Sequence, residues 1–169
     1  FIERINIFGN NITRESVIRN QLEIDEGDPY NEILAKKSEN NLKNLNFFKS
    51  VKSKTVNGQN KNSKIINYEI VEKATGEITA GAGVGTGGGS FFFGVRENNY
   101  LGKGVAVAAN LNLSADSIKG KYSVNNPNFR NSDKLVYFNI KAEETDKLQD
   151  FGYKTNKTGF DVGTSFEYL

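Results

Sequence analysis

Glu77-Ile78-Thr79-Ala80-Gly81-Ala82-Gly83-Val84-Gly85-Thr86 is the stretch around which the rest of the chain is read. Its residues alternate. Ile78, Ala80, Ala82 and Val84 fall on one side, and Thr79, Gly81, Gly83 and Gly85 on the other. Such alternation marks a strand with one apolar face. The second face is nearly all glycine, and each glycine weakens a strand by roughly 0.5–1 kcal/mol relative to alanine. Three of them remove about 2–3 kcal/mol of strand propensity. A weak strand at the head of a sheet is a candidate place of action.

Downstream, over residues 75–169, the same alternation recurs in segments of about ten residues separated by turns. Phe91, Phe93 and Val95 alternate with Phe92, Gly94 and Arg96. Val105, Val107, Ala109, Leu111 and Leu113 alternate with alanine, asparagine and serine. Ile118, Gly120, Tyr122 and Val124 alternate with Lys119, Lys121, Ser123 and Asn125. Val136, Phe138, Ile140 and Ala142 alternate with Tyr137, Asn139, Lys141 and Glu143. Phe160, Val162, Thr164, Phe166 and Tyr168 alternate with Asp161, Gly163, Ser165 and Glu167. The reading expects turns at Gly87–Gly89, Asn98–Gly104, Ala115-Asp116, Asn126–Asp133 and Asp146–Asn156, and one uncharged face throughout. Alternation alone fits either a soluble sandwich or a membrane barrel. Segment length favours the barrel, because about ten residues suit a tilted membrane strand and five or six suit a soluble one. Phe91, Phe93, Val107, Leu111, Phe138, Ile140 and Phe166 are then the lipid-facing residues, with Tyr100 and Phe129 at one rim. Lipid tolerates no unpaired strand edge, so the reading expects further strands beyond Leu169 and a longer exported protein.

Upstream, residues 1–74 read as a small α+β module of order β-α-α-β-β. Phe1–Phe8 is a strand. Thr13 is the expected N-cap of a helix bearing Val17, Ile18 and Leu22. Glu26-Gly27-Asp28-Pro29 breaks it, and a second helix over about 31–45 has Leu34, Ala35, Ser38, Leu42 and Leu45 near one face. Strands follow to about Val56 and over Lys64–Val71, the last with Ile66, Tyr68 and Ile70 on one face.

Composition narrows the chemistry. Of 169 residues 25% are charged, yet the net charge is only +2, so no nucleic-acid surface is expected. The absence of Cys and His removes thiol catalysis, imidazole bases and the usual zinc ligands. No catalysis, cofactor or metal is expected. Gly83-Val84-Gly85-Thr86-Gly87-Gly88 has the G-x-G-x-x-G spacing, but Phe91-Phe92-Phe93 continues a strand where a nucleotide fingerprint needs a helix. No apolar run reaches about 18 residues, so no transmembrane helix is expected.

Arg4-Ile5-x-Ile7-x-Gly9-Asn10, Thr13, Val17-Ile18-Arg19, Glu26-Gly27-Asp28, Ser38, Leu42, Leu45 and Phe47-Phe48 together resemble a POTRA domain. Glu72-x-x-Thr75-Gly76, Gly81-x-Gly83-x-Gly85, Glu97-Asn98-Asn99-Tyr100-Leu101-Gly102-x-Gly104 and Asn126-Pro127-x-Phe129 resemble the junction and opening strands of the outer-membrane assembly-factor superfamily. The resemblance implies a POTRA domain in the periplasm and a barrel in the cell outer membrane, closed at a weak seam between first and last strands. Incoming outer-membrane proteins would pair with the first strand, here Ile78, Thr79, Ala80, Gly81, Ala82, Gly83, Val84 and Gly85. It also implies unfolded outer-membrane proteins as clients, lipoproteins docking at the POTRA corner of Glu26, periplasmic chaperones, and outer-membrane lipid. Two other readings stay open. One is a two-partner-secretion pore that translocates an unfolded client. The other is a soluble all-β binding module behind an α/β domain.

Overall fold

A computed structural model describes residues 1–60, 62–86, 88–132 and 134–166. The chain divides into two compact units. The first is Phe1–Thr75 with Leu101–Lys103, and the second is the remainder from Gly76 onward. None of the described helices is long and apolar enough to cross a membrane.

In the first unit β1 (Ile2–Phe8), α1 (Glu15–Arg19), α2 (Glu32–Asn44), β2 (Phe48–Asn57) and β3 (Lys64–Glu72) follow in order. The three-stranded sheet has the order β1-β3-β2, with β1 parallel and β2 antiparallel to the central β3. The helices cover one face. Ile2, Ile5, Ile18, Leu42, Ile66 and Tyr68 form the centre of the core, each at most 2% exposed. Ser38 is fully buried, so its hydroxyl must be paired; it donates to the Leu34 carbonyl and accepts from the Glu23 N–H. The Asn31 side chain accepts from the N–H groups of Ile33 and Leu34, which starts α2.

Thr13 is not the cap that the sequence suggests. Arg14 holds the N-cap position of α1 without a side-chain bond, and Thr13 is buried with its N–H directed to Glu72. The first helix is also shorter than its apolar stripe, ending at Arg19, and Leu22 packs on the core from beyond it.

Glu39 is a second departure from the sequence pattern, since it lies on the buried face of α2 at 6% exposure. Burial pushes its pKa up, but hydrogen bonds from Lys43, Ser53 and Lys36 outweigh this and lower it to about 2. The folded state therefore binds that proton less readily than the unfolded chain. The stabilisation is complete above the ordinary carboxylate range and is lost as pH falls from about 4.5 through 2. We expect Glu39→Gln to cost about 2–3 kcal/mol at neutral pH and to flatten this acid limb, read as urea unfolding of the first unit against pH.

The second unit is an antiparallel meander of β4 (Gly76–Gly85), β5 (Gly88–Tyr100), β6 (Val105–Ser114), β7 (Ser117–Asn126), β8 (Leu135–Lys147) and β9 (Tyr153–Ser165), paired in chain order. Several expected turns are tighter than read. Gly88 and Gly89 already belong to β5, leaving two residues between Gly85 and its partner Gly88; Gly87 lies outside the described residues. β5 runs to Tyr100 and β8 to Lys147, where α3 (Leu148–Phe151) makes the turn. Asp133, Glu167 and Tyr168, named in the sequence reading, also lie outside the described residues.

Candidate functional site: the edge strand of the second sheet

Among the described residues β4 has one strand neighbour, β5, and every residue of β4 is exposed. Gly85 stands opposite Gly88 across a two-residue connection, so that pair closes the hairpin by mutual main-chain bonds. Bonded pairs alternate along an antiparallel ladder. Thr79, Gly81, Gly83 and Gly85 thus turn their backbone groups to β5. Ile78, Ala80, Ala82 and Val84 turn theirs to the free edge. Residues 78, 80, 82 and 84 therefore carry the open donors and acceptors, and the glycines separate them.

None of Gly81, Gly83 and Gly85 has a positive φ. A Cβ added to Gly81 or Gly85 would meet nothing within 4 Å, and one on Gly83 would approach only the Ser90 hydroxyl, at 3.3 Å. Neither backbone conformation nor crowding within the described sheet requires glycine there. Elsewhere in the sheet crowding does. A Cβ at Gly94 would lie 2.7 Å from both Asn110 and Thr79, and one at Gly163 would strike the Tyr137 ring.

Register aligns the two faces across the strands. Ile78, Val95, Ala109, Tyr122, Ile140 and Phe160 form one continuous apolar row, and Ala80, Phe93, Leu111, Gly120 and Ala142 form the next. Phe91, Phe93, Leu111, Phe138 and Ile140 are exposed on this face; Val107 is half-buried and pairs with Val124. Phe166 is exposed just past β9. Tyr100 and Phe129 are exposed at the same end of the sheet, as the sequence reading has them.

This face is not free of charge to its end. Glu144 and Asp146 follow Ile140 and Ala142 along this face of β8, and Lys154 pairs with Glu144 at 2.6 Å and with Asp146 at 3.7 Å. The longer β8–β9 hairpin carries the face past the apolar stretch into a polar one, which the segment boundaries read from sequence cut off.

The opposite face is polar and concave, because one cavity of about 530 Å³ is lined jointly by Thr79, Arg96, Asn110, Lys121 and Tyr137 from five consecutive strands. It carries Lys119, paired with Glu143 at 2.9 Å, and Lys141, paired with Asp161 at 3.4 Å.

In the first unit Glu26 sits against β1. Its carboxylate accepts from the Ile5 N–H at 2.9 Å and lies 3.6 Å from Arg19, whose guanidinium donates to the Ile5 carbonyl at 3.2 Å. Glu72 is the residue whose role sequence reasoning missed. It accepts from the backbone N–H groups of Asn11 and Ile12, both at 2.9 Å, and of Thr13 at 2.7 Å. Burial raises its pKa, but these bonds and that of the Thr13 hydroxyl together outweigh it, so its carboxyl stays below the usual range. The spacing Glu72-x-x-Thr75-Gly76 marked the position but not this long-range cradle.

The POTRA family, described as "Surface antigen variable number repeat", matches residues 1–73. The outer membrane protein assembly factor BamA of Buchnera aphidicola is 32% identical over 72% of this chain, and that of Neorickettsia risticii 28% over 98%. The chain spans 19% and 22% of those two relatives. Among solved structures, BamA from Haemophilus ducreyi lacking POTRA domains 1–3 superposes with a TM-score of 0.86 at 25% identity, covering 96% of this chain and 31% of that one. CdiB from Escherichia coli is less similar, with a TM-score of 0.61 at 14% identity over 94% of this chain and 31% of its own, and shows a shared fold. A POTRA unit of order β-α-α-β-β, an antiparallel meander headed by a glycine-faced strand, and these likenesses agree: the chain is a BamA-type sequence, a POTRA domain followed by a β-sheet of the kind found in the BamA barrel.

Proposed function

We propose that this chain serves the folding and insertion of outer-membrane proteins, and that the free edge of β4 templates the client's strand. The observation that carries this reading is an exposed edge strand whose glycines nothing in its own sheet demands. A strand so weakened separates from a seam partner at modest cost. Its open groups at Ile78, Ala80, Ala82 and Val84 then bond an incoming strand through the main chain, which accepts many sequences. Client strand pairing and burial in lipid supply the free energy, with no covalent step. The protein lies in the outer membrane with the POTRA domain in the periplasm. In this reading Phe91, Phe93, Val107, Leu111, Phe138, Ile140 and Phe166 face lipid, where a charge costs about 2–4 kcal/mol near the midplane. Unfolded outer-membrane proteins and periplasmic chaperones are the proposed partners. Glu26, exposed beyond its bond to Ile5, is the proposed docking position for a lipoprotein.

Gly81 and Gly83 occupy the non-bonded positions toward the free edge, where Cα atoms of a paired strand lie about 4.5 Å away, within disulfide reach. In the full-length protein, Cys at Gly81 or Gly83 should form a disulfide with Cys near the C-terminus of a stalled client. Disulfides from Cys on β8 or β9 alone, with none from β4, would sink the proposal.

A further inference from the structure

The first unit exposes six large apolar side chains among its described residues; four gather at one end, and Phe1 and Ile33 are the other two. β1 and β3 run parallel, so both finish on the same side of the unit. Phe8 closes β1 opposite Glu69, and Val71 lies two residues further along β3 on the same sheet face. Ile12 stands in the loop that follows β1, and Leu101 leads the turn Leu101–Lys103, which packs within this unit. Ile12 is 67% exposed and Leu101 65%. Both are held firmly. Glu72 accepts from the Ile12 N–H and from those of its two neighbours, and the Arg14 N–H donates to the Gly102 carbonyl at 2.9 Å. Gly102 is buried, and a Cβ there would strike the Ile12 carbonyl. Leu101 has a φ of +53°, a conformation that strains any residue with a Cβ. Glycine or asparagine would sit there more easily, yet the chain has a leucine and leaves it in the open. Strain of this kind at an exposed side chain is a mark of function.

We propose that Ile12 and Leu101 dip into the headgroup boundary of a phospholipid leaflet, with Phe8 and Val71 behind them. The proposal rests on the reading of the second sheet's apolar face as lipid-facing. The order of chemistry along the chain favours lipid over a protein partner. Tyr100 pairs with Val105 at the limit of that apolar face, and Leu101 is the next residue. Arg14 and Lys103, both exposed, then flank the two aliphatic residues. Apolar, aromatic and cationic side chains follow one another in this way across a membrane interface. Long basic side chains there lay their stems along the acyl region and bring their charges to the phosphates. The neighbouring carboxylates are engaged elsewhere: Glu15 holds Arg19, and Glu72 holds the loop backbone. Glu69, opposite Phe8, marks where the patch turns polar.

The test uses the full-length protein in vesicles of phosphatidylethanolamine and phosphatidylglycerol, with an environment-sensitive fluorophore on single cysteines. Ile12→Cys and Leu101→Cys replace exposed side chains, so the labels leave the core untouched. Side chains of an interfacial anchor reach about 5–10 Å into the boundary between headgroups and acyl chains. Both labels should therefore shift to the blue and resist quenching by aqueous iodide. A nitroxide at the top of the lipid's acyl chain should quench them more than one at its end. A label at Ile33→Cys, exposed elsewhere in the same unit, should stay open to iodide. Labels at 12 and 101 that iodide quenches and lipid does not overturn the proposal. Labels shielded from both quenchers overturn it too, in favour of a protein covering the patch. A label at Phe138→Cys separates the two readings. If it escapes the lipid quenchers, the lipid-facing reading falls together with this one. If it is quenched while those at 12 and 101 are not, this one alone falls.

Discussion

Proline at position 82 is expected to cut client insertion by at least about tenfold while leaving the β4–β5 hairpin intact, because it deletes one guest-facing N–H in a site where an unmet main-chain partner costs several kcal/mol. The argument follows from the ladder. Counted from the pair Gly85–Gly88, the Ala82 N–H points away from β5 and that of Gly81 points toward it. Proline is tolerated at a strand edge when its missing donor faces outward. Ala82→Pro should therefore spare the hairpin and harm the guest, and Gly81→Pro should harm the hairpin itself. Insertion of a radiolabelled barrel client into proteoliposomes containing the full-length protein reads the first effect. Protease resistance of the β4–β5 hairpin reads the second. Equal insertion by Ala82→Pro and the native protein would show that β4 does not template by its edge.

The second large effect concerns folding of the POTRA unit. Gly9 has a φ of +91°, and a Cβ there would stand 2.0 Å from the Ile70 carbonyl oxygen on the central strand. Backbone strain of about 1–2 kcal/mol adds to overpacking of about 1–3 kcal/mol, and a β-branched residue has the least freedom to escape. Gly9→Val should thus destabilise the unit by about 3 kcal/mol or more. Amide hydrogen exchange of β3 followed by mass spectrometry should accelerate more than a hundredfold, which is roughly what that loss implies. Gly27→Val makes a useful contrast. Its φ is +99°, but a Cβ meets nothing within 4 Å, so only the strain should remain.

Periodicity made much of this structure legible, and its failures have physical causes. Alternation at Ile66, Tyr68 and Ile70 marked the inner face of β3, and all three are buried. The apolar rows of the second sheet were readable because a two-residue period survives any uncertainty in strand ends. Strand ends were not, since Gly88, Gly89 and Glu144 have the composition of turns and are held in strands by their neighbours' ladders. Thr13 looked like a cap because its hydroxyl suits one. The competing demand came from Glu72, fifty-nine residues away, which sequence proximity cannot reveal. Glu39 was absent from the apolar stripe read for the second helix; buried, it accepts from the Ser53 hydroxyl of β2, another contact across the chain. In the candidate site the alternation placed the glycines on one face. Which residues hold the open backbone groups needed the hairpin register.

The clasp of Arg19 and Glu26 on Ile5 bears on how far the POTRA sheet can grow. Loop groups bond Ile2 on the same strand, as its N–H donates to the Asp28 carbonyl and its carbonyl accepts from Gly27. Together they occupy the outer side of β1 at Ile2 and Ile5, just as a chain-growth inhibitor occupies a reactive end. A sheet with two open ends can string copies into a filament. With one end stopped, the sheet β1-β3-β2 is monofunctional: growth from β1 is terminated there, and the other edge, β2, is left as its single growing end.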